Sequence, residues 1–275
     1  MRFEKFDTPW RRMAAVIYKP ALDARSYGTF EVDATKALVF IEKKKAAGIP
    51  VTMTQFFAGV LGRAIMEEAP HVNAYIKRGK AYPRPTMDIF ISVNMPEKQE
   101  MGGFVIRRID EKTIDEICAE MGEKVKKTRN KEESGVTKNK YALAKIPWPL
   151  RRWVFVLIRF ITVTMGFPLK RMKIDANSFG SAMISNIGTH NLHFGFAALF
   201  PASNLPLVLI MGKVEKKPVV RDGEIVIRDI LPLAATLDHR IYDGAQGGMI
   251  ASAIVRFFEN PELLDEKRNA KENLL

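Results

Sequence analysis

The chain contains 275 residues, of which 47% are hydrophobic and 27% are charged, so it can bury a substantial core and is not a disordered or fibrous protein. Its formal net charge of +12 would suit nucleic acid, an anionic membrane or an anionic cofactor. The sequence has no zinc-finger spacing, Gly-rich phosphate loop or RNA-binding signature, so no nucleic-acid partner is expected. The single cysteine, Cys118, excludes an internal disulfide, and the first residues lack the apolar core of a secretory signal, so we expect a cytoplasmic protein.

The hydrophobic pattern predicts three of the helices, at 35–46, 54–69 and about 243–258. Strands are predicted at 88–94, 180–187, 205–214 and 223–237. Pro232 lies inside the last of these strands and indicates a bulge or a bend. Helices and strands mix without a regular βαβ alternation, an internal repeat or a Pro- or Ser-rich linker, so the pattern favours one α+β domain over residues 1–275.

Basic and apolar residues are concentrated in the middle of the chain. Between Arg107 and Lys173 there are 17 Lys and Arg against 8 Asp and Glu, a local surplus of 17 − 8 = +9. The apolar run from Trp153 to Phe167 has 15 residues and contains Arg159, whereas a membrane-spanning helix needs roughly 20 apolar residues. We therefore expect a core or oligomer-contact helix, and the alternative is that residues 146–171 contact a membrane surface, which would make the protein peripheral to the membrane.

The stretch DHRIYDG at 238–244 carries two aspartates, a histidine and an arginine in an otherwise apolar part of the chain. One interpretation is structural: a strand ends, an Asp-Gly turn begins a helix, and Asp238, Arg240 and Asp243 form surface ion pairs. The other is chemical: His239 acts as a general base, because an imidazole has a pKa of about 6.5 and neighbouring charges orient the ring. Spacing alone leaves both open.

This stretch resembles the Asp-His-Arg-x-x-Asp-Gly signature of the catalytic domain of the 2-oxoacid dehydrogenase acyltransferases, the dihydrolipoamide acyltransferase family, whose fold relative is chloramphenicol acetyltransferase. The resemblance continues in chain order through RRMAAVIYKP, TFEVDATKAL, VTMTQFFAGVLGRAIMEEAPHVNAYI, FGSAMISNIG, SNLPLVLIMGKV and FFENPELL. Only the stretch from about 95 to 172 fits poorly. The resemblance implies a chloramphenicol acetyltransferase-like two-layer sandwich with a mixed β-sheet that forms trimers, with an atypical insertion at about 130–172.

The resemblance also implies CoA-dependent acyl transfer and assigns the catalytic roles. His239 would take the proton from a thiol of CoA or of a dihydrolipoyl group, and Ser185 would donate a hydrogen bond to the oxyanion of the tetrahedral intermediate. Asp243 would hold the loop through an arginine near the start of the chain, for which Arg11 and Arg12 are the candidates.

Six further residues follow from the same resemblance. Structural support of the site is expected from Asp238, Arg240 and Gly244. Binding of CoA or substrate is expected from Asn186, Gly188 and Asn204, for which the structural alternative is turn and strand-end chemistry.

Relatives assemble as trimers in which the histidine of one subunit faces the serine of the next, so a homotrimer or a higher assembly of trimers is expected. Coenzyme A is the expected substrate. The chain has no lipoyl-lysine segment, so a separate lipoyl-carrying protein or dehydrogenase subunits would deliver the acyl group, or else the acceptor is a small amine, alcohol or thiol. Two alternatives stay open: a catalytically idle trimeric scaffold or membrane-surface assembly protein, and an antibiotic O-acetyltransferase.

No metal site is expected. His190 and His193 in HNLH have a spacing that can bind a metal, but no Cys or acidic cluster accompanies them. Cys118 shares the apolar face of a predicted helix with Ile114, Ile117 and Met121, which indicates an inert core thiol.

Overall fold

The structure, a computed structural model, describes residues 26–95, 100–129, 146–147, 150–169, 178–200 and 203–268. These residues form the strands β1 (Ser26–Asp33), β2 (Ala74–Lys77), β3 (Lys80–Pro83), β4 (Ile89–Met95), β5 (Glu100–Ile106), β6 (Ala182–Asn186), β7 (Leu207–Met211), β8 (Glu215–Arg221) and β9 (Glu224–Leu237). They also form the α-helices α1 (Thr35–Ala46), α2 (Met53–Glu68), α3 (Ile114–Arg129), α4 (Leu150–Arg159) and α5 (Gly244–Glu259). A π-helical turn, Phe160–Thr164, follows α4.

Seven strands form one mixed sheet in the order β1-β9-β7-β6-β4-β5, with β8 pairing the first half of β9, and β2 pairs β3 in a separate hairpin. The pairs β4/β6 and β6/β7 are parallel, and the other pairs of the large sheet are antiparallel. Because β9 has 14 residues, it pairs β8 along its first half and β7 along its second. The long strand therefore joins a projecting hairpin to the centre of the sheet.

The main core lies between one face of the sheet and the helices. Helix α2 begins at a capping box, in which the Thr52 amide donates to Oε1 of Gln55 at 2.7 Å and the Thr52 hydroxyl accepts from the Gln55 amide at 3.3 Å. It packs against α5, where the rings of Phe56 and Phe258 meet edge to face with centroids 5.2 Å apart. Both rings are fully buried, so large apolar side chains hold α2 and α5 together.

The opposite face of the sheet carries a smaller apolar cluster, formed by Leu199, Leu205, Val208, Ile210 and Ala234. Large apolar side chains near this cluster stay exposed, among them Tyr27 and Phe196, whose rings meet edge to face at 5.0 Å. The sheet thus has one face closed by helices and one face that presents apolar surface.

The α+β fold with a mixed sheet is confirmed, and the predicted helices and strands lie within a few residues of their expected bounds. On one side of Pro232 the register between β1 and β9 runs unbroken from Ser26↔Leu237 to Asp33↔Ile230. On the other side the pairing shifts by one residue between Met211↔Leu233 and Glu215↔Ile230, so the irregularity predicted at Pro232 is found on this side alone. Pro232 lies where β9 changes its neighbour from β8 to β7, and its carbonyl accepts from Gly212 on that side. The missing N–H therefore faces the gap between two neighbours and removes no ladder bond.

Candidate active site

The turn between β9 and α5 is held by a buried ion pair. Arg240 donates from Nε to both carboxylate oxygens of Asp238, at 2.9 and 3.1 Å, and from Nη2 to Oδ2 at 2.5 Å. The Arg240 amide donates to the same carboxylate at 3.1 Å. Asp238 and Arg240 are 3% and 5% exposed, so the interpretation as surface ion pairs is wrong for these two residues. Movement of either residue would break the ion pair and leave a buried charge without a partner, so the backbone on both sides of His239 is held in place.

His239 lies between these two residues and is partly exposed. Its Nδ1 is 3.1 Å from the hydroxyl of Ser26, the first residue of β1. The contact follows from the sheet register, because Ser26 pairs with Leu237, two residues before the histidine. Ser26 is thus a functional candidate that sequence reasoning missed.

Asp243 and Gly244 form the start of α5. Asp243 is the N-cap residue in a capping box with Gln246, whose Oε1 accepts from the Asp243 amide at 3.1 Å. The predicted partners of Asp243, Arg11 and Arg12, lie outside the described residues. A Cβ on Gly244 would meet no atom within 4 Å, so packing within the described part of one chain does not require a glycine there.

Ser185 lies in the central strand β6, opposite Ile210 of β7. It shares its side of the sheet with Met183, which packs on the smaller apolar cluster. The hydroxyl is therefore on the face that the helices do not cover.

Asn186 and Gly188 follow Ser185 and stabilise the end of β6. The Asn186 side chain donates to the Thr54 hydroxyl at 3.1 Å and accepts from the Gly188 amide at 3.0 Å. A Cβ on Gly188 would lie 2.5 Å from the carbonyl oxygen of Gly212, so only glycine fits this close approach of two backbones. Both residues have turn roles, as the structural alternative predicted.

Asn204 has a different location, before β7. It adopts a left-handed conformation with φ of 52°. Its side chain donates to the carbonyl of Ile76 in β2 at 2.8 Å, and its own carbonyl accepts from Arg84 at 2.7 Å. Asn204 thereby links the β2–β3 hairpin to the end of the sheet at which His239 lies.

The predicted site residues fall at opposite ends of β7. The Asp238 amide donates to the carbonyl of Pro206, just before the strand, whereas Ser185 pairs with Ile210 near its other end. At about 3.3 Å per residue, and with one strand between β9 and β6, His239 and Ser185 of one chain are more than about 10 Å apart. Asn204 lies at the His239 end, and Asn186 and Gly188 lie at the Ser185 end. One chain therefore does not bring the predicted base and the predicted oxyanion donor together.

A cavity of about 350 Å³ lies beside the His239 turn, between the sheet and the first turns of α5. Ser26, Leu237 and Asp243 line it near the turn, and Leu209 and Ile254 line its apolar interior. Its shape and lining would suit an apolar group next to His239.

The remaining titratable candidates have structural surroundings. Within the described residues no group of three or more His, Cys, Asp or Glu side chains could hold a metal ion. His193 Nδ1 is 3.3 Å from a carboxylate oxygen of Glu215. Cys118 is buried in α3, and burial raises the pKa of its thiol to about 12, as expected of an inert core thiol.

Comparison with known proteins identifies the family. The sequence model of the 2-oxoacid dehydrogenases acyltransferase (catalytic domain) matches residues 9–135 and 170–265. The acetyltransferase component of the pyruvate dehydrogenase complex of Acholeplasma laidlawii is 36% identical over 97 residues, which are 34% of this chain and 17% of that protein. The match thus spans less than a fifth of this curated relative.

Solved structures share the fold. The dihydrolipoamide acetyltransferase of Azotobacter vinelandii, in which a serine, a histidine and an asparagine have been studied for their catalytic role, superposes with a TM-score of 0.63 at 19% identity, covering 92% of this chain and 87% of that one. A chloramphenicol acetyltransferase superposes with a TM-score of 0.54 at 16% identity, covering 94% of this chain and 98% of that one. Because the family's sequence model matches most of its residues, the chain belongs to the family of 2-oxoacid dehydrogenase acyltransferase catalytic domains.

Proposed function

We propose that the protein is a cytoplasmic CoA-dependent acyltransferase that moves an acyl group between CoA and a thiol of the dihydrolipoyl type. The observation that carries this proposal is the Asp-His-Arg turn of a family member, in which a buried ion pair holds the backbone on both sides of His239. The partial exposure of His239 supports a role that requires access for substrate. The single cysteine supports a reducing compartment.

The proposed reaction uses two side chains of this chain. His239 accepts the proton of the attacking thiol, whose pKa of about 8.5 otherwise leaves it mostly protonated at neutral pH. The sulfur attacks the thioester carbonyl, and the Ser185 hydroxyl donates to the resulting oxyanion. When the intermediate collapses, the carbon–sulfur bond to the leaving thiolate breaks, and His239 returns the proton to that sulfur.

We propose that each site forms between two subunits of a homotrimer. The separation of His239 and Ser185 within one chain supports this, because a proton acceptor and an oxyanion donor must reach the same reacting group. The uncovered face of the sheet also supports it, since Tyr27, Phe196 and Phe200 would otherwise stay exposed to water.

The other site residues complete the proposal. Asp243 pairs with Arg11 or Arg12, and Asn186, Gly188 and Asn204 border the CoA channel from the two ends of β7. Hydrogen bonds of both asparagines to neighbouring segments support a role in shaping the channel. A separate lipoyl-carrying protein or dehydrogenase subunits deliver the acyl group, as suggested by relatives that are components of pyruvate dehydrogenase complexes.

The test is CoA thiol release from acyl-CoAs of different chain length, with dihydrolipoamide, simple amines or chloramphenicol as acceptor. We expect turnover with dihydrolipoamide that falls about 10²- to 10⁴-fold in His239→Ala. His190→Ala is the matched control, because His190 is an exposed histidine to which no step of the proposed reaction assigns a role. Turnover with chloramphenicol alone would favour the antibiotic O-acetyltransferase, and absence of turnover and of CoA binding would favour the idle scaffold.

A further inference from the structure

The two ranges that match the family leave out residues 136–169, so this segment lies outside the part of the chain that the family match describes. Its charge is one-sided: from Ser134 to Ile174 the sequence has nine Lys and Arg residues and no Asp or Glu. A partner that binds this segment would therefore contact positive charges that no carboxylate of the segment neutralises.

The described part of the segment exposes a stripe of large apolar side chains. Trp153 is 67% exposed and Leu157 is 57% exposed, and Leu150, Val156 and Phe160 are also exposed. At 3.6 residues per turn these positions fall on one side of α4, and we call them the α4 stripe. No residue of α4 is buried. A free apolar surface of this kind indicates a site of contact rather than ordinary scatter.

The α4 stripe is presented by an anchored segment. The Arg78 amide, at the turn of the β2–β3 hairpin, donates to the carbonyl of Thr164 at 3.0 Å, and its Nε donates to the carbonyl of Met165 at 3.3 Å. The Arg78 guanidinium also lies 5.1 Å from the ring centre of Phe167. Thr162 in the π-helical turn is fully buried. The residues that follow α4 are thus fixed to the β2–β3 hairpin, while the α4 stripe stays exposed to solvent.

We propose that the α4 stripe inserts into the interfacial region of an anionic lipid surface, with the exposed Arg151 and Arg152 at the start of α4 facing the headgroups. At 1.5 Å per residue α4 and its π-helical turn are roughly 22 Å long, too short to span a bilayer but sufficient to lie in its surface. No helix among the described residues is long and apolar enough to cross a membrane. The absence of carboxylates favours anionic lipid over a second copy of the same basic segment, which would repel it.

This surface lies near the His239 end of the sheet. Asn204 joins that end to β2, the strand whose hairpin anchors the segment. Burial and, after it, the positive charge of Arg240 lower the pKa of Arg159. Docking would therefore bring the proposed thiol-activating end close to the lipid. The docking itself stands independently of the acyltransferase activity.

The test is flotation of the full chain with phosphatidylcholine vesicles, with and without about one third phosphatidylserine. We expect flotation only with the anionic vesicles, and about tenfold or more weaker partition for Trp153→Ser/Leu157→Ser. The matched control is Ile225→Ser/Ile227→Ser, which removes two residues of 78% and 69% exposure from β9 and should float like the native chain. Arg151→Gln/Arg152→Gln should weaken binding in the same direction, unlike Lys216→Gln/Lys217→Gln.

A direct measurement of depth completes the test. With Trp10→Phe and Trp148→Phe, Trp153 is the remaining tryptophan, and its emission should shift to the blue and be quenched by brominated lipid. Failure of the native chain to float, or equal loss in the β9 control, would overturn the proposal. So would a fall in oligomer mass for Trp153→Ser/Leu157→Ser with lipid binding unchanged, which would assign the α4 stripe to an interface between copies. Acyl transfer with water-soluble substrates is measured separately in each variant.

Discussion

If His239 and Ser185 of neighbouring subunits form each site, two inactive variants should restore activity when they share a trimer. His239→Ala lacks the base and Ser185→Ala lacks the oxyanion donor, so each variant alone should lose about 10²- to 10⁴-fold in turnover. In a ring assembled at random from equal amounts, a site is intact when the subunit giving the histidine is Ser185→Ala and its neighbour is His239→Ala. That combination has a probability of about one quarter, whatever the number of subunits in the closed ring.

The assay is turnover with acyl-CoA and dihydrolipoamide after co-expression, with the two variants carrying different affinity tags so that mixed assemblies can be purified. The unselected mixture should recover about one quarter of native activity, and purified mixed trimers about one third, because each contains one intact site in three. In the control, the variants are mixed after separate assembly and do not exchange. The reasoning would be refuted by mixed assemblies as inactive as the single variants, because that result means that each site draws both side chains from one chain. In such a site, His239 and Ser185 of one chain would have to approach each other from a separation of more than about 10 Å.

Three further predictions concern the turn and the core. Ser26→Ala should lower turnover with little change in KM, because loss of the contact to Nδ1 lets His239 adopt the wrong tautomer, and ¹⁵N shifts of the four histidines would report this directly. Arg240→Ala should cost about 3–5 kcal/mol of unfolding free energy in urea denaturation, because it leaves the carboxylate of Asp238 buried and unpaired. Cys118 should resist thiol reagents at pH 8 in the native protein and react after unfolding, since a pKa raised to about 12 keeps it protonated.

Each of these has a result that contradicts it. Ser26→Thr keeps the hydroxyl and should retain activity, so equal loss in Ser26→Thr and Ser26→Ala would indicate a packing effect at the start of β1. Asp238→Asn/Arg240→Ala should be less destabilised than Arg240→Ala, because no charge is left behind, and equal cost would mean that the pair acts through packing alone. Rapid labelling of Cys118 in the native protein would show that the core around α3 opens easily.

The helices and the central strands could be predicted because their apolar residues recur at a regular spacing or in a continuous run. The strands that the sequence did not predict are short or contain glycine, so they show no such pattern. β1 includes Gly28, β2 and β3 have four residues each, and β5 contains Gly102 and Gly103. A Cβ on Gly103 would lie 2.3 Å from the ring of Phe90, so this glycine permits a close cross-strand approach that sequence periodicity does not report.

In the candidate site, likewise, residues close together in sequence could be predicted and contacts between distant residues could not. The Asp-His-Arg turn is contiguous in sequence, so its motif could be found. Its position also involves a distant residue, because the Asp238 amide donates to the carbonyl of Pro206, just before the neighbouring strand β7. Ser26 is 213 residues from His239 and has no motif of its own. Only the register of β1 against β9 brings the two together, and register is a property of the assembled sheet.

The separation of the two ends of β7 has a consequence for specificity. The Ser185 end is built from β6 and from Thr54 at the start of α2, both in parts of the chain that match the family. The His239 end is also bordered by the β2–β3 hairpin and, through it, by the segment 136–169, which the family match leaves out. Since new binding properties are more readily added by surface segments than by central strands, we expect the acceptor to differ from that of the relatives on the His239 side, while handling of the thioester at Ser185 follows the family. Exchanging the described part of this segment for a short loop should therefore change the preference among acceptors more than the preference among acyl-CoAs. The reverse result would locate specificity in the central strands.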